Sequence, residues 1–215
     1  MSLLDIDLMR RQAETPRRAD LGDLSSVAKD LSDAFVDDPI FDWFLRADAK
    51  REKARLRFFN YLMRVVRPGG GFVERPAGGG AAAVWMPFSY VRASSLTEDL
   101  HSLPTILYAT GLARFRRALA LQKDMHHHHP TDREHAYLWF IGVSPQAQGR
   151  GIGSRLLQVA TYRLDAAAMP AYLETQTERN VSLYRRHGFE VISEHRALPD
   201  APLMWSMWRD PQNIT

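Results

Sequence analysis

The sequence predicts one α/β domain, a mixed sheet flanked by helices. Three observations carry that expectation: short apolar or aromatic runs bounded by turn residues, helical-period segments that alternate with them through the back half, and a glycine-rich turn joining one such strand to one such helix. The 215 residues, 45% hydrophobic and 25% charged, are enough for one buried core. No internal repeat or linker divides them. The expected division is a polar leader over residues 1–14, a single domain over 15–210 and a short tail over 211–215.

Residues 15–19 read as a first strand. A helix over 20–35 follows, with Leu21, Leu24, Val27, Ala28, Leu31 and Phe35 on one face, stopped by Asp37, Asp38 and Pro39. An aromatic-rich turn over 40–44 leads to a charged helix over 50–66 that Pro68 and three glycines terminate. Residues 72–74 and 81–85 read as a hairpin. The region 94–125 is expected to be helical with a break around Pro104, followed by a solvated loop carrying His126, His127, His128 and His129. Strands are then expected over 137–143, 171–175, 189–194 and 203–208, with helices over 151–168 and 180–187.

Composition narrows the function. The 28 basic and 25 acidic residues are scattered, and the net charge of +3 gives little ground for a nucleic-acid partner. With no cysteine, disulfides, thiolate zinc sites and a cysteine nucleophile are excluded. No apolar run reaches membrane-spanning length, and residues 1–14 lack the apolar centre of a signal peptide. A cytoplasmic location without membrane partners is expected. Consecutive side chains of regular structure cannot all face one ion, so the four histidines are read as solvated, with no metal expected.

The turn at 148–154 is the most informative segment. Gly149, Gly151 and Gly153 clear side chains from the backbone between a strand and a helix. Successive amides and the positive end of the helix then form an anion site suited to a pyrophosphate. Arg150 either adds charge at its rim or is solvated. A P-loop needs a GK[ST] ending, which is missing. A dinucleotide fingerprint needs a glycine where Ser154 stands, early in a βαβ unit.

The pattern that fits is QxxGxG, Gln148 through Gly151 to Gly153, and here the chain resembles the GNAT acetyltransferase superfamily. Residues 170–191, PAYLETQTERNVSLYRRHGFEV, resemble a second block of that family. The order of Ala83-Val84-Trp85-Met86-Pro87, LYRRHGF and Trp205-Ser206-Met207 is especially similar to the puromycin N-acetyltransferase group. The resemblance implies a mostly antiparallel GNAT-like sheet of six or seven strands, splayed between the strands at 137–143 and 171–175 by a bulge near 141–143. It implies acetyl-CoA as co-substrate, held by Ile141, Gly142, Val143, Gln148, Gly149, Arg150, Gly151, Ile152, Gly153, Ser154, Asn180 and Tyr184. It makes Tyr184 the acid that protonates the departing thiolate and Asn180 a partner of the pantetheine arm. Without the family, Tyr184 reads as a core tyrosine on the same helix face as Asn180.

Three further assignments keep their alternatives. Gly142 suits a bulge beside a backbone oxyanion donor, or packing alone. Glu174 shares a strand face with Tyr172; a carboxylate in an apolar strand is a general base or an ion-pair partner of Arg179 or Arg185, and water can also take the amine's proton. Asp37, Asp38, Phe41, Trp43 and Phe44 either border an acceptor site or terminate a helix above core aromatics, the latter being favoured. The expected function is N-acetyl transfer to a primary amine of a small molecule. The alternatives are a protein or peptide acceptor, or a catalytically silent acyl-CoA-binding module. Homodimerisation stays open.

Overall fold

The computed structural model describes residues 3–93 and 96–213; Ser94, where the expected long helical region begins, lies outside them. Its elements run α1 (Leu3–Gln12), β1 (Arg17–Arg18), α2 (Leu24–Ala34), α3 (Pro39–Phe44), α4 (Arg51–Val66), β2 (Phe72–Arg75), β3 (Ala81–Pro87), α5 (Phe88–Ala93) and α6 (Leu96–His128), then β4 (Ala136–Val143), a 3-10 turn at Pro145–Ala147, α7 (Ile152–Ala166), β5 (Ala171–Thr175), α8 (Glu178–Arg185), β6 (Glu190–His195) and β7 (Met204–Arg209). The seven strands form one sheet in the order β1-β2-β3-β4-β5-β7-β6. Every neighbouring pair is antiparallel except β4 and β5, which join in parallel only at Ala136↔Ala171 and Tyr137↔Tyr172. Beyond Tyr137 the two strands part. Among the described residues no helix is long and apolar enough to cross a membrane.

Strand alternation sorts the core onto two faces. Tyr137 and Tyr172 point to one side, where Val27 and Leu31 of α2 and Phe59 and Met63 of α4 cover them. Leu138 and Leu173 point to the other, against Leu157 and Ala160 of α7 and Val181 and Tyr184 of α8. The expected polar leader is instead the helix α1, whose Met9 packs with Ala13 on Ala81, Ile152 and Leu156. Its sparse apolar positions share one face, so a mostly polar segment still docks.

Four local expectations are corrected. The aromatic turn over 40–44 is the short helix α3, because Asp38 accepts the Ile40 and Phe41 amides at 3.0 and 3.1 Å and Pro39 occupies the first turn. The break in α6 falls at Gly111 (φ 62°, ψ 173°) rather than Pro104. Arg46 takes up carbonyls near the break, its amide bonding Ala109 O at 2.9 Å and its guanidinium Tyr108 O at 3.1 Å. The histidines do not form a solvated loop: His126, His127 and His128 continue α6, His128 stacks on His195 at 3.8 Å, and His129 is buried 2.9 Å from the His135 ring nitrogen.

The bulge in β4 is the fourth. Val84 pairs with Phe140 but Trp85 pairs with Leu138, so the extra residue is Trp139 and not one of 141–143. One inserted residue exchanges faces for everything after it. Phe140 and Gly142 are thereby turned toward α2 and α4, where Phe140 meets Phe35 and Phe59 edge-on. Gly142 pairs regularly with Ala82, and its missing side chain is a packing requirement: a Cβ there would lie 2.8 Å from Ala34 Cβ and 3.0 Å from Leu31 Cδ2. Gly142→Val is expected to destabilise the fold by about 1–3 kcal/mol through overpacking, measured by urea denaturation.

Candidate functional site

The parting of β4 from β5 opens a cleft of about 640 Å³ floored by residues 141–143 and walled by the 148–154 turn, α8 and the end of α2. Every second residue of a strand directs its N–H and C=O to the same neighbour, so the unpaired side of β4 offers backbone hydrogen-bonding groups to the cleft. Gln148 Nε2 donates to the carbonyl of Val143 at 3.1 Å, which ties the turn to that edge.

The turn takes its shape from two glycines in the left-handed region, Gly149 (φ 74°) and Gly151 (φ 78°), where any side chain is strained. Gly151 caps α7 without a side-chain hydrogen bond. The Arg155 amide is the first to reach back into the helix, to Gly151 O at 3.1 Å, so the amides of Ile152, Gly153 and Ser154 are those a helix start leaves open. Ser154 Oγ lies 2.8 Å from His187 Nε2 and fastens this turn to the end of α8. Arg179 and Arg186 line the cleft on the same side, while Asp33, Asp37 and Asp38 line it opposite.

The structure brings most of the sequence-nominated residues together: Ile141, Gly142, Val143, Gln148, Gly149, Gly151, Ile152, Gly153, Ser154, Asn180 and Tyr184 all line this one cleft. Glu174 and Arg150 do not. Arg150 faces a separate hollow of about 330 Å³ beside Ile6, Asp7 and Arg10 of α1. Tyr184 is buried with its ring 5.9 Å from Phe189. Burial, with the charge of Asp38 adding to it, raises its hydroxyl well above the usual tyrosine range. Phe41, Trp43 and Phe44 are core.

Asp38 is more than a helix cap. It shares the cleft with Tyr184, bonds the Gln176 side-chain amide, and is pushed by burial to a pKa of about 6. The sequence placed Asp38 only at the end of the first helix; its cap of α3 and its approach to Tyr184 and Gln176, 146 and 138 positions away, were not visible there.

Glu174 sits on β5 just past the last residue paired with β4, half-buried, and neither Arg179 nor Arg185 pairs with it. Its partners are two tyrosines: Tyr137 OH donates to Oε2 at 2.7 Å and Tyr172 OH to Oε1 at 2.9 Å. Burial raises its pKa to about 7, against which the two hydrogen bonds pull down.

A sheet parted at its single parallel step, with a glycine turn opening a helix beside the gap, is the arrangement that the resemblance to the GNAT acetyltransferases implies. Residues 118–191 match the family model of the acetyltransferase (GNAT) domain, so the chain carries a GNAT acetyltransferase domain. It is 27% identical over 183 residues to an uncharacterised N-acetyltransferase of Schizosaccharomyces pombe, covering 80% of this chain and 73% of that protein. The fold is similar to a Corynebacterium glutamicum structure described as histone acetyltransferase HPA2 and related acetyltransferase (TM-score 0.67, 23% identity, 93% of this chain and 97% of that one). It is also similar to the polyamine N-acetyltransferase of Drosophila melanogaster (TM-score 0.55, 17% identity, 91% and 98%).

Because the folded-state pKa of Glu174 lies above its ordinary 4.5, the folded protein binds this proton more tightly than the unfolded chain. Stability is therefore lost as pH rises from about 4.5 to 7. Glu174→Gln removes this loss, so the melting temperature of the variant relative to the native protein is expected to rise between pH 5 and pH 8, measured by calorimetry across that range.

Proposed function

We propose that the protein transfers an acetyl group from acetyl-CoA directly to a primary amine of a small molecule, in the cleft between β4 and β5. The observation that carries this reading is the convergence on one cleft of the left-handed glycine turn, the unpaired edge of β4 and the buried hydroxyl of Tyr184. The open amides at the start of α7, with Arg179 and Arg186 nearby, suit the pyrophosphate of coenzyme A. Asn180 and the edge of β4 offer hydrogen bonds to the amide-bearing pantetheine arm. Acetyl-CoA supplies the activated thioester carbonyl.

The chain's own groups meet the remaining needs. An amine arrives mostly as its ammonium, and Glu174, with a pKa of about 7, is poised to take its proton near neutrality. A β4 amide in the gap stabilises the oxyanion at the acetyl carbon. Tyr184, whose hydroxyl stays protonated, hydrogen-bonds the sulfur as the C–S bond breaks and gives it a proton. Asp33, Asp37 and Asp38 on the opposite wall suit a cationic acceptor. A small basic amine is favoured over a peptide, in keeping with the amine-acetylating structural relative and the likeness to the puromycin group. A cytoplasmic setting, where acetyl-CoA is at hand, belongs to the same reading.

Release of thiol from acetyl-CoA across a panel including tyramine, spermidine and agmatine tests the reading. Tyr184→Phe is expected to lower kcat about 100-fold with little change in KM for acetyl-CoA. Tight acetyl-CoA binding without turnover on any amine identifies a binding module instead. Gly151→Val places a side chain at φ 78° and 3.0 Å from Arg155 Nη1. It is expected to weaken acetyl-CoA binding about tenfold by calorimetry.

A further inference from the structure

A continuous line of side chains leads away from Glu174 and serves no step described above. Tyr172 OH lies 2.9 Å from Glu174 Oε1 and 2.9 Å from Ser206 Oγ. Ser206 Oγ is 3.0 Å from His195 Nε2, and His195 Nδ1 is 2.6 Å from Asp124 Oδ2. Adjacent strands β5, β7 and β6 supply the middle, with Glu174 paired to Ser206 and His195 to Met204, and α6 supplies Asp124. Tyr172 and Ser206 are fully buried and His195 is 7% exposed, whereas the side chains of Asp124 and His128 are 14% and 25% exposed. The line thus runs from Glu174, just past the last pairing of β5 with β4, through the protein to its surface.

Counting protons shows what such a line can do. Asp124 as a carboxylate only accepts, so His195 Nδ1 carries hydrogen. Tyr172 and Ser206 have one hydrogen each. Two arrangements satisfy every link. In one, Glu174 is ionised, Tyr172 donates to it, Ser206 donates to Tyr172, and an imidazolium His195 donates through Nε2 to Ser206. In the other, Glu174 is protonated and donates to Tyr172, Tyr172 donates to Ser206, and Ser206 donates to Nε2 of a neutral His195. The two differ by one proton moved end to end.

We propose that this line is a proton relay, in which Tyr172, Ser206, His195 and Asp124 are positioning residues that empty Glu174 between turnovers; this rests on the reading of Glu174 as the base. Glu174 takes the amine proton, and three hops (Glu174 to Tyr172, Tyr172 to Ser206, Ser206 to His195 Nε2) leave Glu174 ionised and His195 an imidazolium held by Asp124. The imidazolium then loses one proton to water, and the two hydroxyls return to their starting orientation as the next proton enters. At the far end burial holds the His195 pKa below its ordinary value; Asp124 favours the imidazolium, and His128 and His127 disfavour it. Around Glu174 the groups are Tyr137 and Tyr172, which bond it, and Asp124, whose charge favours its protonated form.

The test is a pH titration of the full chain labelled with ¹⁵N-histidine, with the His195 signal assigned through His195→Gln. Tyr137 donates to the Oε2 position, so in Glu174→Gln the amide oxygen sits there and the amide nitrogen donates to Tyr172. That locks the arrangement with neutral His195, and the His195 midpoint is expected to fall by about one pH unit. In Ser206→Ala, which cuts the line, adding Glu174→Gln is expected to move that midpoint by less than about a third as much. Tyr172→Phe cuts the line one link earlier and serves if Ser206→Ala does not fold. An unmoved midpoint in Glu174→Gln, or an equal shift with the line cut, overturns the relay. On tyramine and spermidine, Ser206→Ala is expected to lower kcat about tenfold and leave KM for acetyl-CoA unchanged. Full activity of Glu174→Gln on these amines instead overturns the base assignment, a result that the histidine titration does not depend on.

Discussion

Only two residue pairs join β4 to β5, and the rest of the molecule is arranged around the gap that follows them. A buried strand edge with unpaired amides and carbonyls is costly unless a ligand, water or a side chain meets it. Here one side chain does so at the end of the gap, where Gln148 binds the Val143 carbonyl. The strands are held apart from both sides. Residues 145–154 turn the chain out of β4 into α7, which packs back on one face of the sheet, while β7 grips β5 along all five residues from Ala171 to Thr175. β5 is thus fully anchored on one edge and free to leave β4 on the other.

The bulge at Trp139 determines what faces that gap. Without it Phe140 and Gly142 would point toward α7, and the α2 side would meet Ile141 instead. With it, the small surface of Gly142 lets α2 approach within van der Waals contact, and the end of that helix delivers Asp37 and Asp38 to the cleft wall. A packing requirement at one glycine therefore sets where the acidic side of the cleft stands.

Much of this was legible in the sequence. The six strands from β2 to β7 and the helices around the glycine turn follow from periodicity and turn residues, because they are long enough or apolar enough to show it, whereas β1 is only Arg17–Arg18. Several of the misses share one cause, long-range contact. Sparse apolar positions hid the docking of α1, and four histidines in a row look solvated until a stacked His195 and a buried His135 meet them. Alternation placed Tyr172 and Glu174 on one face correctly. It does not reveal that Tyr137, paired with Tyr172 across the only parallel step, closes a second hydrogen bond on the same carboxylate. Arg150 was drawn into the site by its place between two glycines, yet in a tight turn neighbouring residues look opposite ways, and it faces α1.

The two sheet faces carry different halves of the proposed chemistry. Tyr184 packs with Leu173 on the α7 and α8 side, whereas Glu174, one residue along the same strand, points to the side covered by α2 and α4. In an unbroken sheet a proton donor and a proton acceptor so placed would be separated by a layer of paired backbone. Where β5 leaves β4 that layer is missing, so in the proposed reaction a thioester lying in the gap would have the Tyr184 hydroxyl on its sulfur side and the Glu174 carboxylate on the side from which an amine approaches. Acid and base then keep distinct surroundings. Tyr184 lies near an anion that discourages ionisation, and Glu174 lies between two hydroxyls that support it. Their proton affinities are thus set independently, on opposite faces, while the parted strands let both act at one carbonyl.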